Sequence, residues 1–248
     1  MKRTITFSIV MTIAILLLVA GTAAPIAAQQ KGAIEKTLSS KQQSMIVIAA
    51  VTAKGDLPEL KTKLNSGLEA GLTVNEIKEA IVHLYAYCGF PRSIRGLQTL
   101  ISVLEERKTK GIRDTWGPEA TPVKDERSKY ERGKAILGTL TGAPQDGPKT
   151  GYAAFAPEIE VFLKAHLFAD IFERDILSYT DRELVTVAVL SSIGGVEPML
   201  NSHLSICLNL GLTPDQLQQF VGIIKSNIGA TAAKSAQSVL NQVLTNKK

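Results

Sequence analysis

The chain repeats itself. "GLTVNEIKEAI" at 71–81 and "GLTPDQLQQFV" at 211–221 both open Gly-Leu-Thr and continue with one apolar spacing, at an offset of 140. The offset holds without a gap on either side. Upstream, Pro58, Leu60, Leu64 and Leu68 align with Pro198, Leu200, Leu204 and Leu208. Downstream, Gly89, Leu100, Val103 and Leu104 align with Gly229, Leu240, Val243 and Leu244. Roughly 60 residues correspond in this way, which marks an internal duplication. Leucines at helical spacing match by chance; Gly-Leu-Thr, a proline and a second glycine at one fixed offset do not. Whatever one copy folds into, the other is expected to fold into as well.

Each copy reads as four helices. They are expected at about 40–54, 58–70, 74–88 and 93–107 in the first copy, and at about 180–193, 198–210, 214–227 and 231–245 in the second. Gly71 and Gly211 suit left-handed helix ends. Thr73 and Thr213 supply hydroxyls to cap the next helix, and Pro214 fits a first turn. Thr180 or Asp181 is expected to start the helix "RELVTVAVLSSI". Asn-Gly hairpins and sustained period-two alternation are missing, so the fold class is all-α, a tandem duplicated helical bundle. Residues 109–155 are rich in Gly, Pro and charge and read as a connector, packed in part and flexible in part, with a short helix near 130–139. The repeats are placed at 35–108 and 156–246, the second led in by a helix at about 157–172.

The first 28 residues carry a different pattern. Lys2 and Arg3 precede an apolar run from Ile9 to Ala20, and small residues follow to Ala28. That order is a secretory signal peptide, so an exported, periplasmic or secreted protein starting near Gln29 is expected, with no stable membrane span after cleavage. The formal charge of +5 loses two cations with that segment and falls to +3. So weak a balance, with no basic-aromatic tract, excludes nucleic acid as the expected partner. Cys88 and Cys207 are the two cysteines, too few for a disulfide framework and not in a C-x-x-C pair. No metal-ligand spacing is visible among His83, His166 and His203, so neither a metal nor a cofactor is expected.

The copies differ where chemistry is carried. In the first, Ile77, Ala80, Ile81, Leu84 and Cys88 share a core face, while Glu76, Glu79, His83 and Tyr87 form a second stripe. Carboxylate, imidazole and phenol in a row can hold or relay a proton. At the corresponding places the second copy has Gln219 for Glu79, Ile223 for His83, Asn227 for Tyr87 and Ile228 for Cys88. Conversely, Arg182, Glu183 and His203 align with Gln42, Gln43 and Lys63. Each copy keeps half of a polar set, so two copies docked face to face are expected to build one site. Taken singly, a helical His is usually structural, a Glu stripe usually a solvated face, and a lone Cys usually a small buried hydrophobe. His166 is expected to be structural, on a helix that could cover the site.

"EIKEAIVHLYAYCGFPRSIRGL" resembles the closing half of the carboxymuconolactone decarboxylase family motif, with its Tyr-x-Gly-x-Pro break at Tyr87–Pro91. "DRELVTVAVLSSIGGVEPMLNSHLSICLNLGLTPDQL" resembles the opening half, through Arg182, Glu183, His203, Leu204, Asn209 and Gly211. The resemblance implies an all-helical unit of the alkylhydroperoxidase D-like type that assembles into trimers or hexamers. It implies either lactone decarboxylation or thiol-based peroxide reduction. The peroxidase branch needs Cys-x-x-Cys followed by His; here Pro91 stands at the second Cys position and Arg95 at that of the His. The favoured expectation is therefore acid/base chemistry on a small carboxylic acid or lactone. His203, His83, Glu79 and Cys88 are the candidate catalytic residues; Arg182, Glu183, Tyr87 and Arg92 are candidates to bind substrate. The alternatives are a peroxide-reducing protein using Cys88 and a small-ligand binding module without catalysis.

Overall fold

Two glycine-ended turns fix the geometry of both copies. Gly71 and Gly211 take φ of 89° and 94°. Leu72 N–H donates to Gly67 C=O at 3.0 Å and Gly71 N–H to Leu68 C=O at 3.1 Å; Leu212 and Gly211 repeat the pair on Cys207 and Leu208. This six-to-one, five-to-two pattern closes each helix with its last carbonyls satisfied. Thr73 and Thr213 then cap the next helices reciprocally with Glu76 and Gln216.

The computed structural model describes residues 37–246. The expected signal peptide, 1–28, lies outside the described residues. The first copy contains α1 (Ser40–Lys54), α2 (Leu57–Glu69), α3 (Val74–His83) and α4 (Tyr85–Thr109). The connector holds α5 (Lys129–Thr141) and α6 (Gly151–Phe155). Next comes α7 (Pro157–Phe162), which runs directly into a π-helical segment, Leu163–Phe172. The second copy contains α8 (Tyr179–Ile193), α9 (Glu197–Asn209), α10 (Pro214–Asn227) and α11 (Ala230–Asn246). No strand occurs among the described residues, and no helix there is long and apolar enough to cross a membrane.

Two expectations are corrected. The third helix of the first copy does not run to residue 88. It stops at His83, and α4 begins two residues later, bending at Gly89 (φ 83°, ψ 160°) before Pro91. A proline has no N–H to give the preceding turn, so the helix axis breaks there and resumes. The helix cap of α8 is Ser178, whose hydroxyl accepts from Asp181 N–H, rather than Thr180 or Asp181. The packed part of the connector includes residues 115–121. Val74 and Asn75, at the start of α3, donate backbone N–H to the carbonyls of Thr115 and Trp116 at 2.9 Å, and Asp175 accepts from Thr121 N–H.

The duplication also sets the packing. α1 and α8, equivalent in the two copies, lie against each other at the centre. Eleven of the fifteen residues of α8 are buried, and eight of the fifteen of α1. A helix without a polar face belongs inside. Around this pair the copies cross. α3 of the first packs on α8 of the second, and α10 of the second packs on α1 of the first. One core joins both copies. A smaller cluster lies beside it, where Phe168 and Phe172 of the π segment meet Leu140 of α5 and Ile206 of α9. α5 reaches the π segment very closely at Gly133. A Cβ there would lie 1.7 Å from the Lys164 carbonyl oxygen, so any larger residue would lift the two helices apart.

Candidate active site

The crossing brings the divided polar groups together inside one chain. α3 and α4 supply Glu79, His83 and Tyr87; α8 supplies Arg182, Glu183 and Thr186; α9 supplies His203. Tyr87 lies between the two imidazoles, its ring centre 5.4 Å from that of His83 and 5.8 Å from that of His203. Phe172 of the π segment meets His83 edge-on at 5.0 Å and roofs the cluster.

His203 is oriented by a carboxylate. Its Nδ1 lies 2.7 Å from Glu183 Oε2. The Glu183 side chain is fully buried, whereas that of His203 is 14% exposed. With Nδ1–H given to the carboxylate, Nε2 keeps its lone pair and has no partner among the described residues. Such a pairing fixes the tautomer and leaves one nitrogen to take or give a proton.

His83 is held differently. Its Nε2 lies 2.9 Å from Thr186 Oγ1, and the Thr186 hydroxyl donates to the Arg182 carbonyl at 2.9 Å. That hydroxyl hydrogen is therefore spent, and the Thr186 oxygen accepts Nε2–H. Nδ1 faces Arg182 Nη1 at 3.4 Å. Complete burial, then the Arg182 charge, then His203 push the pKa of His83 well below its usual 6.5, so it is neutral.

Glu79 was expected to hold an imidazole and Arg182 to bind a substrate carboxylate. The structure gives both side chains other partners. Arg182 Nη2 donates to Glu79 Oε1 at 2.7 Å and to the Arg174 carbonyl at 2.6 Å. Arg174 grips the same carboxylate with Nε and Nη2 at 2.9–3.1 Å. Glu79 is thus a buried anchor between two guanidinium groups. Glu76 leaves the expected proton stripe too, since its carboxylate caps α3 and pairs with Lys41 at 2.7 Å.

Cys88 is half-buried beside the core, and its Sγ–H donates to the Leu84 carbonyl. Burial pushes the thiol up to about 11, with only partial relief from Arg92, so it stays a thiol at neutral pH. Both cysteines are free. Arg92 is exposed and lies over Gly55 at the end of α1, away from the two imidazoles. His166 also lies outside the cluster, on the exposed side of the π segment, between Tyr85 and Asp170.

Three residues that sequence reasoning missed complete the arrangement: Arg174, Thr186 and Phe172. Thr186 was within reach, because its counterpart at the 140 offset is Ile46, the same loss of a polar group as His83 to Ile223 and Cys88 to Ile228. Arg174 and Phe172 precede the segment over which the copies align and carried no such signal.

An all-helical chain made of two like units, with a carboxylate-oriented imidazole at their crossing, defines the class. The sequence model of the carboxymuconolactone decarboxylase family matches residues 21–100 and again 157–242. The chain belongs to that family, as a tandem member. An uncharacterised protein of Methanocaldococcus jannaschii is 29% identical over 68 residues, 27% of this chain and 64% of its own length. The 4-carboxymuconolactone decarboxylase of Acinetobacter baylyi is 29% identical over 89 residues, 36% of this chain and 66% of that protein. The chain thus spans just under two thirds of the length of each of these curated relatives.

Proposed function

We propose that the protein is an enzyme that moves a proton on a small carboxylated or lactone substrate, with His203 Nε2 as the acid or base. The observation that carries this reading is the Glu183–His203 pair, with one ring nitrogen fixed by a buried carboxylate and the other uncommitted. Neutral His83 then serves to place Tyr87 and His203 rather than to exchange protons. Two buried polar atoms around the pair have no protein partner, Arg182 Nε and Glu183 Oε1, while the Tyr87 hydroxyl faces Thr186. Buried polar atoms are nearly always bonded, so these are the groups left to receive polar atoms of a substrate. Burial, followed by the Glu183 charge, raises the Tyr87 pKa far above its usual 10. The phenol therefore remains a hydrogen-bond donor at any physiological pH. Membership of the family and similarity to a carboxymuconolactone decarboxylase support a lactone acid as the substrate class.

The test is turnover of small lactone acids followed by proton NMR in deuterated water. His203→Gln is expected to slow solvent deuterium incorporation and product formation together, by about 10²–10⁴-fold, while the fold is kept. Turnover equal to that of the unaltered chain would remove the proposal.

A further inference from the structure

The duplication creates a second place equivalent to the imidazole site, and it contains a hollow. At the 140 offset, Glu183, His203, His83 and Tyr87 correspond to Gln43, Lys63, Ile223 and Asn227. All four of these residues line one cavity of about 240 Å³. The packing is the same crossing in reverse, with α10 of the second copy set on α1 of the first, and α2 adds Lys63 and Ser66 to the wall. A volume of this size equals that of about eight waters at ~30 Å³ each. It suits a small organic molecule and is too small for a peptide.

We propose that this cavity binds a small carboxylate with an apolar body, as a site separate from the imidazole pair. Lys63, standing where the other site has His203, brings the cation. Its ammonium lies 3.0 Å from Glu59, and both side chains are partly exposed (27% and 44%). An exposed pair one helical turn apart is weak, so a ligand carboxylate competes for the ammonium readily. Gln43 and Asn227 each spend an amide N–H on a backbone carbonyl, of Leu38 at 2.8 Å and of Ile223 at 2.9 Å. These bonds fix both amides and leave the second N–H and the oxygen of each for a ligand. Ser44, also on the wall, makes no hydrogen bond to another described residue and can donate its hydroxyl. Val47 and Ile223 form the apolar wall. No imidazole or carboxylate lines the hollow, so it binds without transferring a proton.

The test uses the full chain with labelled isoleucine and valine methyl groups, titrated with benzoate and, separately, with uncharged benzamide. Saturable shifts of the Val47 and Ile223 methyls with benzoate and not with benzamide are expected. Lys63→Met, at a partly exposed position, is expected to weaken benzoate by about tenfold or more through loss of a charge-assisted contact. Three results would each overturn the proposal: no shift at these methyls, equal shifts with benzamide, or unchanged benzoate affinity in Lys63→Met. The readout is local to Val47 and Ile223, so it does not depend on whether His203 catalyses anything.

Discussion

Arg182 and Glu79 form an ion pair at 2.7 Å in which neither side chain is more than 1% exposed. Their partners differ, and that decides what happens when one is lost. Glu79 also has Arg174, whereas among the described residues Glu79 is the one carboxylate hydrogen-bonded to Arg182. Removing the carboxylate as Glu79→Leu strands a fully buried cation, a loss of about 3–5 kcal/mol for breaking a buried pair. Arg182→Met leaves the carboxylate held by Arg174 and is expected to cost less. The double change is expected to recover part of the Glu79→Leu loss. Urea unfolding of the four proteins checks the order, which would be reversed if Arg174 did not hold Glu79.

Glu183→Gln tests how His203 is oriented. The amide keeps the shape and can still accept a hydrogen bond, but it loses the charge that stabilises a protonated ring. A loss of about 10²–10⁴-fold in kcat is expected for removing His203 as His203→Gln, since that is the usual range for a positioned acid or base. Glu183→Gln is expected to lower kcat by a smaller factor and to shift the pH profile. A KM in both variants equal to that of the unaltered chain would place the loss in the chemical step.

Acid should loosen the fold through His83. Its pKa is well below 6.5 when folded and returns to about 6.5 when the chain unfolds. Below pH 6.5 the unfolded chain takes a proton that the folded chain refuses. Stability present at neutral pH is therefore lost as pH falls from about 6.5 toward 5, at up to ~1.4 kcal/mol per pH unit. Glu160, held down to about 2 by Lys149 and Lys164, matters only below the ordinary carboxylate range near 4.5. The urea midpoint of His83→Gln is expected to be flatter between pH 7 and 5 than that of the unaltered chain.

Alkylation of Cys88 by a small maleimide is expected to be slow at pH 7 and to quicken above pH 10, following its raised thiol pKa. A modified chain that keeps full turnover would agree with the acid/base reading. Peroxide consumption with a dithiol donor, lost on modification, would contradict it.

The helices were legible because their stops are local. Gly-Leu-Thr encodes a turn and a cap within three residues, and it occurs twice. The meeting of His83 with His203 was legible for another reason: the two copies had lost complementary groups, and that asymmetry could be read by alignment alone. Sequence could not show what the buried ions hold. Glu79 and Arg182 have the residue types of a catalytic pair, and only the position of Arg174, 95 residues along the chain from Glu79, turns them into an anchor. The split at His83 and Tyr85 left no mark in the sequence, since Leu84 keeps right-handed helical angles there and the chain leaves helical geometry only at Gly89.

The crossing of α3 onto α8 and of α10 onto α1 has a consequence for the chain as an object. Neither half owns its own polar site: the imidazole cluster and the Lys63 hollow are each built by helices from both. If the backbone were cut near Pro122, each fragment would carry a bare apolar rod, α1 or α8, and an incomplete pocket. Two such pieces mixed in solution should restore each other, and fragment complementation would recover the imidazole cluster and the Lys63 hollow together or neither.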